Sequence, residues 1–225
     1  MKIKHTFLMV FLFTISMSIA QTITTETLLK EMVDRDKIAR YPSQDFRLKQ
    51  HSSYDRKSVS PEEAKGWFAN SDFNNQSSSK NFIRVEMNAQ GEKEWVMMDH
   101  QGAGALVRVW MPNKGLSETT LRFYFDGEEK PSIETNLYTF FNGEGEVPYP
   151  FAHKSLLSIV SFFPMAYAKS CKITASKKPY FFQYTFREYT KGTAIKTFEL
   201  ADLKKQACQR NRRGVAPPSK CNQRR

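Results

Sequence analysis

YFFQYTFREY, residues 180–189, sets Tyr180, Phe182, Tyr184 and Phe186 on one side and Gln183, Thr185 and Arg187 on the other. A period of two marks a β-strand with one face on a core and the other wetter, whereas a helix would repeat every 3.6 residues. Seven more runs share the habit: NFIRVEM, EWVMMD, ALVRVWM, LRFYFDG, SLLSIVSFF, CKITA and TAIKTFEL. All are rich in Val, Ile, Phe, Tyr and Trp and are separated by Gly, Pro and Asn. Eight runs in about 120 residues, with no helical signal between them, predict an all-β fold, an antiparallel jelly-roll-like sandwich. There is no internal repeat.

Ahead of these runs the period changes. TTETLLKEMVDRDKIARYP predicts a short N-terminal helix with a threonine cap, a stripe of Leu28, Leu29, Met32 and Val33, and a stop at Tyr41-Pro42. Ser60-Pro61-Glu62-Glu63 is a capping box ahead of Ala64, Trp67 and Phe68, and predicts a second helix. The loop FNGEGEVPYPFAHKS, residues 141–155, is long enough to contribute to a site.

The two ends of the chain read differently from this body. Lys2 and Lys4, an apolar run over residues 7–19 and Ser18-Ile19-Ala20 make residues 1–20 a signal peptide, and the expected location is periplasmic or extracellular. The run is shorter than the ~20 residues that cross a bilayer, so no membrane anchor is expected. Residues 204–225 hold eight Lys and Arg and no acid; without them and Lys2 and Lys4, 24 bases face 23 acids in residues 21–203. Most of the net charge of +11 therefore belongs to a basic tail that lacks aromatic residues, and nucleic acid is not an expected partner. The tail predicts disorder, and its abrupt composition suggests a truncated or frame-shifted end. With Cys208 and Cys221 in the tail and only Cys171 in the body, no disulfide framework is expected.

Familiar catalytic constellations are missing. There is no His and Cys cluster at metal spacing, no phosphate loop and no G-x-S-x-G elbow, so neither metal nor cofactor is expected. The glycines of Asp99-His100-Gln101-Gly102-Ala103-Gly104 lie between two strand runs and predict a hairpin, and Asp126 before Gly127 predicts a turn. Carboxylates, amides and aromatics remain, the groups that hold sugars through paired hydrogen bonds and a ring face. HSSYDRKS concentrates them: Ser53, Tyr54, Asp55 and Arg56 are candidate sugar contacts, or Asp55 and Arg56 are an ion pair that pins a loop. Asn70 and Asp72 form a second polar pair or a turn. Trp110, on the same strand face as Arg108 and opposite Val107 and Val109, is a sugar platform or the sandwich's buried tryptophan.

In this order, SSYDR after an LLKEM helix, GWFANSD, KEWVMMD, QGAGALVRVWMP and LRFYFDGEEKP resemble the N-terminal half of glycoside hydrolase family 172. The resemblance spans residues 28–198, with Ala103 standing where the family's hairpin carries proline. It implies the first of two jelly rolls in an exo-acting, retaining furanosidase on fructofuranosyl or arabinofuranosyl linkages, and assembly into oligomers. It also implies nucleophile and acid/base glutamates beyond the point where the basic tail begins, so no catalytic residue is assigned. The expectation is an exported fragment, inactive alone, that binds carbohydrate and pairs with itself or with a second jelly-roll half. A non-catalytic carbohydrate-binding or oligomer-scaffold domain is the alternative.

Overall fold

The computed structural model describes residues 22–56 and 81–203. The predicted signal peptide, the capping-box segment at residues 60–68, Asn70, Asp72 and the basic tail lie outside the described residues. Two antiparallel sheets stack into the expected sandwich. The first runs β1 (Phe46–Ser52), β11 (Gln183–Tyr189), β4 (Gly104–Pro112), β8 (Ser158–Ser161) and β7 (Ala152–Ser155), and β9 (Met165–Tyr167) also pairs with β4. The second runs β2 (Arg84–Met87), β3 (Lys93–Gln101), β10 (Ser170–Ala175), β5 (Thr120–Phe125) and β6 (Ile133–Asn136).

Aromatic residues fill the space between the sheets. Phe123, Phe125, Phe140, Phe141, Phe163, Phe182, Tyr184 and Phe186 all lie in one cluster and are at most 2% exposed. Burying a phenylalanine of this kind stabilises the fold by about 1.5–3 kcal/mol before entropy is counted. The inward set of residues 182–186 is thus the one its period of two predicts. Two register shifts, between Thr185 and Phe186 and between Ile173 and Thr174, bend the sheets. Each adds a residue to one strand and reverses which parity faces inward beyond it. This corrects the expectation for Val107. Val109 and Met111 join the main core, but Val107 and Ala105 pack in a second cluster with Ile23, Leu28 and Tyr189.

Other differences have local causes. The N-terminal helix is two pieces, α1 (Thr25–Val33) and α2 (Arg35–Ile38). Asp34 leaves the helix with extended backbone, and its carboxylate accepts from the Asp36 and Lys37 amides at the start of α2. Leu28 and Leu29 are buried, while Met32 and Val33 are 45% and 80% exposed. TAIKTFEL is not a strand: Ile195 makes one bridge to Ile23, and the Phe198 amide donates to Ala166. The loop over residues 141–155 packs into the core along much of its length and ends in β7. Behind α3 (Leu137–Phe141), Val147 and Ala152 are fully buried and the Asn142 side chain accepts from the Glu144 and Gly145 amides. Asp126 is the expected turn residue, at φ 55°, accepting from the Lys169 and Ser170 amides.

Candidate functional site

Strands β1, β4 and β10 end, and β11 begins, at one end of the sandwich. On the outer face of the first sheet near this end, register builds a row across five strands: Ser52 faces Gln183, Gln183 faces Trp110, Trp110 faces Val160, and Val160 faces His153. Val109, Met111 and Ile159 belong to the core, so the alternating residues of this row point outward. Four strand spacings make the row roughly 19 Å long. Trp110 is partly exposed and belongs to neither core cluster, so it is not the sandwich's buried tryptophan. Beside it, Arg108 Nη1 donates to Gln183 Oε1 at 2.8 Å. An indole face next to a guanidinium already held by an amide is suited to a ring with one C–H face and several hydroxyls.

The loop after β1 adjoins this row. The Ser53 amide donates to the Phe182 carbonyl at 3.1 Å and Ser53 Oγ accepts from the Phe182 amide at 3.0 Å, so Ser53 extends the β1–β11 pairing by one residue. The Arg56 guanidinium lies 3.8 Å from the Tyr54 ring centroid and donates from Nη2 to the Ser52 carbonyl at 3.0 Å. Tyr54 is 49% exposed and Asp55 is buried. His51, one residue inside β1, stacks on Phe186; burial first, then the His100 and Arg56 charges, lower its pKa and favour the neutral ring. The structure therefore brings Ser53, Tyr54, Asp55, Arg56 and Trp110 to one end of the first sheet.

Carboxylates gather elsewhere, on the outer face of the second sheet. Arg122 holds three of them: Nη2 reaches Glu92 Oε2 at 2.7 Å, Nε reaches Glu134 Oε2 at 3.0 Å and Nη1 reaches Glu94 Oε1 at 3.2 Å. The Tyr124 hydroxyl donates to Glu94 at 2.8 Å, and burial together with this carboxylate pushes its pKa well above the usual phenol range. Arg84 likewise bridges Glu86 and Asp99 at 3.0 and 2.7 Å. In both clusters a guanidinium fills the gap between the acids. Among the described residues no group of three or more His, Cys, Asp or Glu could hold a metal ion, and no helix is long and apolar enough to cross a membrane.

Two cavities flank the first sheet. One, about 310 Å³, opens at the Trp110 end between the turn after β4 and the connection from β10 to β11. Met111, Leu116, Leu137 and Ala175 form its apolar floor, and Lys114, Lys177, Lys178 and Tyr180 stand around it. The other, about 300 Å³, lies at the opposite end between α1, α2 and β11, where Glu31 and Arg187 form a two-pronged pair at 2.8 and 3.0 Å.

The row partners Gln183, Ser52 and His153 and the lysine cavity were not singled out from the sequence. The alternation in residues 180–189 places Gln183 outward, but which residue of another strand lies beside it depends on a register that includes the shift between Thr185 and Phe186. A comparison with known families matches the GH172 first beta-sandwich domain over residues 44–206. No curated protein matches the chain.

Proposed function

From the premise that the chain belongs to glycoside hydrolase family 172, we propose that its sandwich holds the sugar for an exported, exo-acting, retaining furanosidase whose bond-breaking carboxylates come from a partner surface. The observation that carries this reading is the outward row through Trp110. The furanose lays its C–H face on the indole, and Arg108 and Gln183, already joined, offer N–H donors and a carbonyl to adjacent hydroxyls. Ser52 adds a hydroxyl at one flank. Ser53, Tyr54, Asp55 and Arg56 form the wall, its position set by Ser53 on Phe182 and by Arg56 on Tyr54.

Retaining hydrolysis needs two carboxyl groups about 5 Å apart, one attacking the anomeric carbon and one protonating the leaving oxygen, with that carbon between them. The two acid clusters of the second sheet carry a guanidinium in that space, which supports placing the reacting pair outside this domain. A second jelly-roll half would supply it. Ile83, Val85 and Met87, 37–59% exposed on or beside edge strand β2, give such a partner an apolar strip. On this reading the chain alone binds furanosides without cleaving them.

Intrinsic fluorescence of the chain titrated with methyl arabinofuranoside and methyl fructofuranoside tests the sugar surface. A saturable change is expected for the parent, and Trp110→Ala should weaken it roughly tenfold, the effect of a lost aromatic contact. Unaltered affinity in Trp110→Ala, or no saturable change in the parent, would remove the basis of the proposal.

A further inference from the structure

The outward row does not stop at Trp110. It ends at His153 of β7, two strand spacings or roughly 10 Å from the indole. The residue between them, Val160, is short and buried, so it makes a floor rather than a barrier. A histidine kept for the fold has its buried ring nitrogens in use, as His100 does with Glu188 at 3.2 Å on Nε2 and Tyr167 at 3.0 Å on Nδ1. His153 differs. Its Nδ1 is buried without a partner, and among the described residues its Nε2 has no hydrogen bond or ion pair either. A buried Nδ1 with nothing to donate to is best left unprotonated, which puts the proton on Nε2 and makes that atom a donor. The Tyr149 ring stands beside this imidazole, with centroids 6.3 Å apart and planes at 69°, and Tyr149 is 67% exposed. The two rings form a corner. Lys154, next along β7, is already paired with Glu144 at 3.0 Å, so the corner does not call for a charged ligand.

We propose that His153 and Tyr149 form a second sugar subsite, which takes the ring joined to the furanose on Trp110. The row is unlike on the two sides of the indole. Toward β1 it carries Gln183 and Ser52, which serve the hydroxyls of the first ring; toward β7 it passes Val160 and then offers one N–H donor and an aromatic corner. The ligand is a neutral glycoside of at least two rings. Its linking oxygen passes over Val160, a hydroxyl of the second ring accepts from His153 Nε2, and the C–H face of that ring lies against Tyr149. The inference rests on the sugar-binding reading and names what that reading left open: the group on the leaving side of the bond is itself a sugar.

The test is calorimetric titration of the full chain with methyl arabinofuranoside, methyl arabinofuranobioside and inulobiose, a sugar of one ring and two sugars of two. At least one two-ring sugar is expected to bind about tenfold tighter than the one-ring sugar, the gain from one hydrogen bond and one aromatic contact. His153→Ala and Tyr149→Ala should each cut that advantage to about threefold or less while the one-ring affinity stays within about twofold of the parent, which also shows that both variants fold. Trp110→Ala should weaken all three ligands. Equal affinity for one and two rings in the parent, or an advantage that survives in either corner variant, would overturn the subsite and leave the Trp110 row standing. Absence of saturable binding by all three sugars would fall on the row itself, and on the subsite with it.

Discussion

Gly104, at the start of β4, is where a single methyl group should disturb the fold most sharply. A Cβ built there lies 2.3 Å from Tyr167 Oη, 2.5 Å from its Cζ and 2.7 Å from the Arg187 carbonyl oxygen. All three are well inside van der Waals contact. Tyr167 is fully buried and its hydroxyl meets His100 Nδ1 at 3.0 Å, while the Arg187 carbonyl belongs to the neighbouring strand, so neither can move freely. Overpacking of this kind costs about 1–3 kcal/mol and disturbing the buried hydroxyl–imidazole contact about 1 more. Gly104→Ala should therefore lose about 2–4 kcal/mol, which in a domain of this size lowers Tm by roughly 5–15 °C. Urea and thermal unfolding of the two proteins measure it. Gly104 is not at a positive φ, so the loss is steric rather than conformational. A variant as stable as its parent within 0.5 kcal/mol would show that the tyrosine is not packed on this glycine.

Three further outcomes follow from the same packing. Burial raises the pKa of the Cys171 thiol and of the Tyr167 and Tyr184 phenols, and burial with Glu94 raises that of Tyr124. Their protonated forms stabilise the fold fully below the ordinary values near 8.5 and 10, and that stability is lost as pH climbs toward the folded values. The urea midpoint should fall steadily above about pH 9, and a flat profile to pH 11 would contradict it. Arg122→Met strands Glu94, whose side chain is 1% exposed, and should destabilise the chain by about 3–5 kcal/mol in urea unfolding; parity with the parent would mean that the carboxylates do not depend on the guanidinium. The apolar strip of Ile83, Val85 and Met87 should make the purified chain self-associate in light scattering, and a monodisperse monomer would count against a missing partner surface.

Strands that bury one full face announced themselves through alternation, and residues 180–189 did so most clearly. The elements that escaped either lack a fully buried residue or are too short for alternation to show. Edge strand β1, FRLKQHS, has no fully buried residue, and β6, β7 and β9 are three or four residues long. TAIKTFEL misled in the opposite sense, since Ile195 and Phe198 find apolar surroundings with, among the described residues, a single bridge to another segment. Within the candidate site, SSYDR and Trp110 stood out by composition. Their neighbourhood did not, because Gln183 meets Trp110 only through a register that includes the shift at Thr185 and Phe186. The lysine cavity was harder still, as Lys114 and Lys177 come from turns more than sixty residues apart.

The sandwich is proposed to hold a furanoside whose cleavage falls to acids from a partner. Incubating the purified full-length chain with aryl α-arabinofuranosides and fructofuranosides is the most direct trial. It predicts saturable binding with no released aglycone. Turnover by the chain alone, abolished by a single Glu→Gln change within it, would contradict the account.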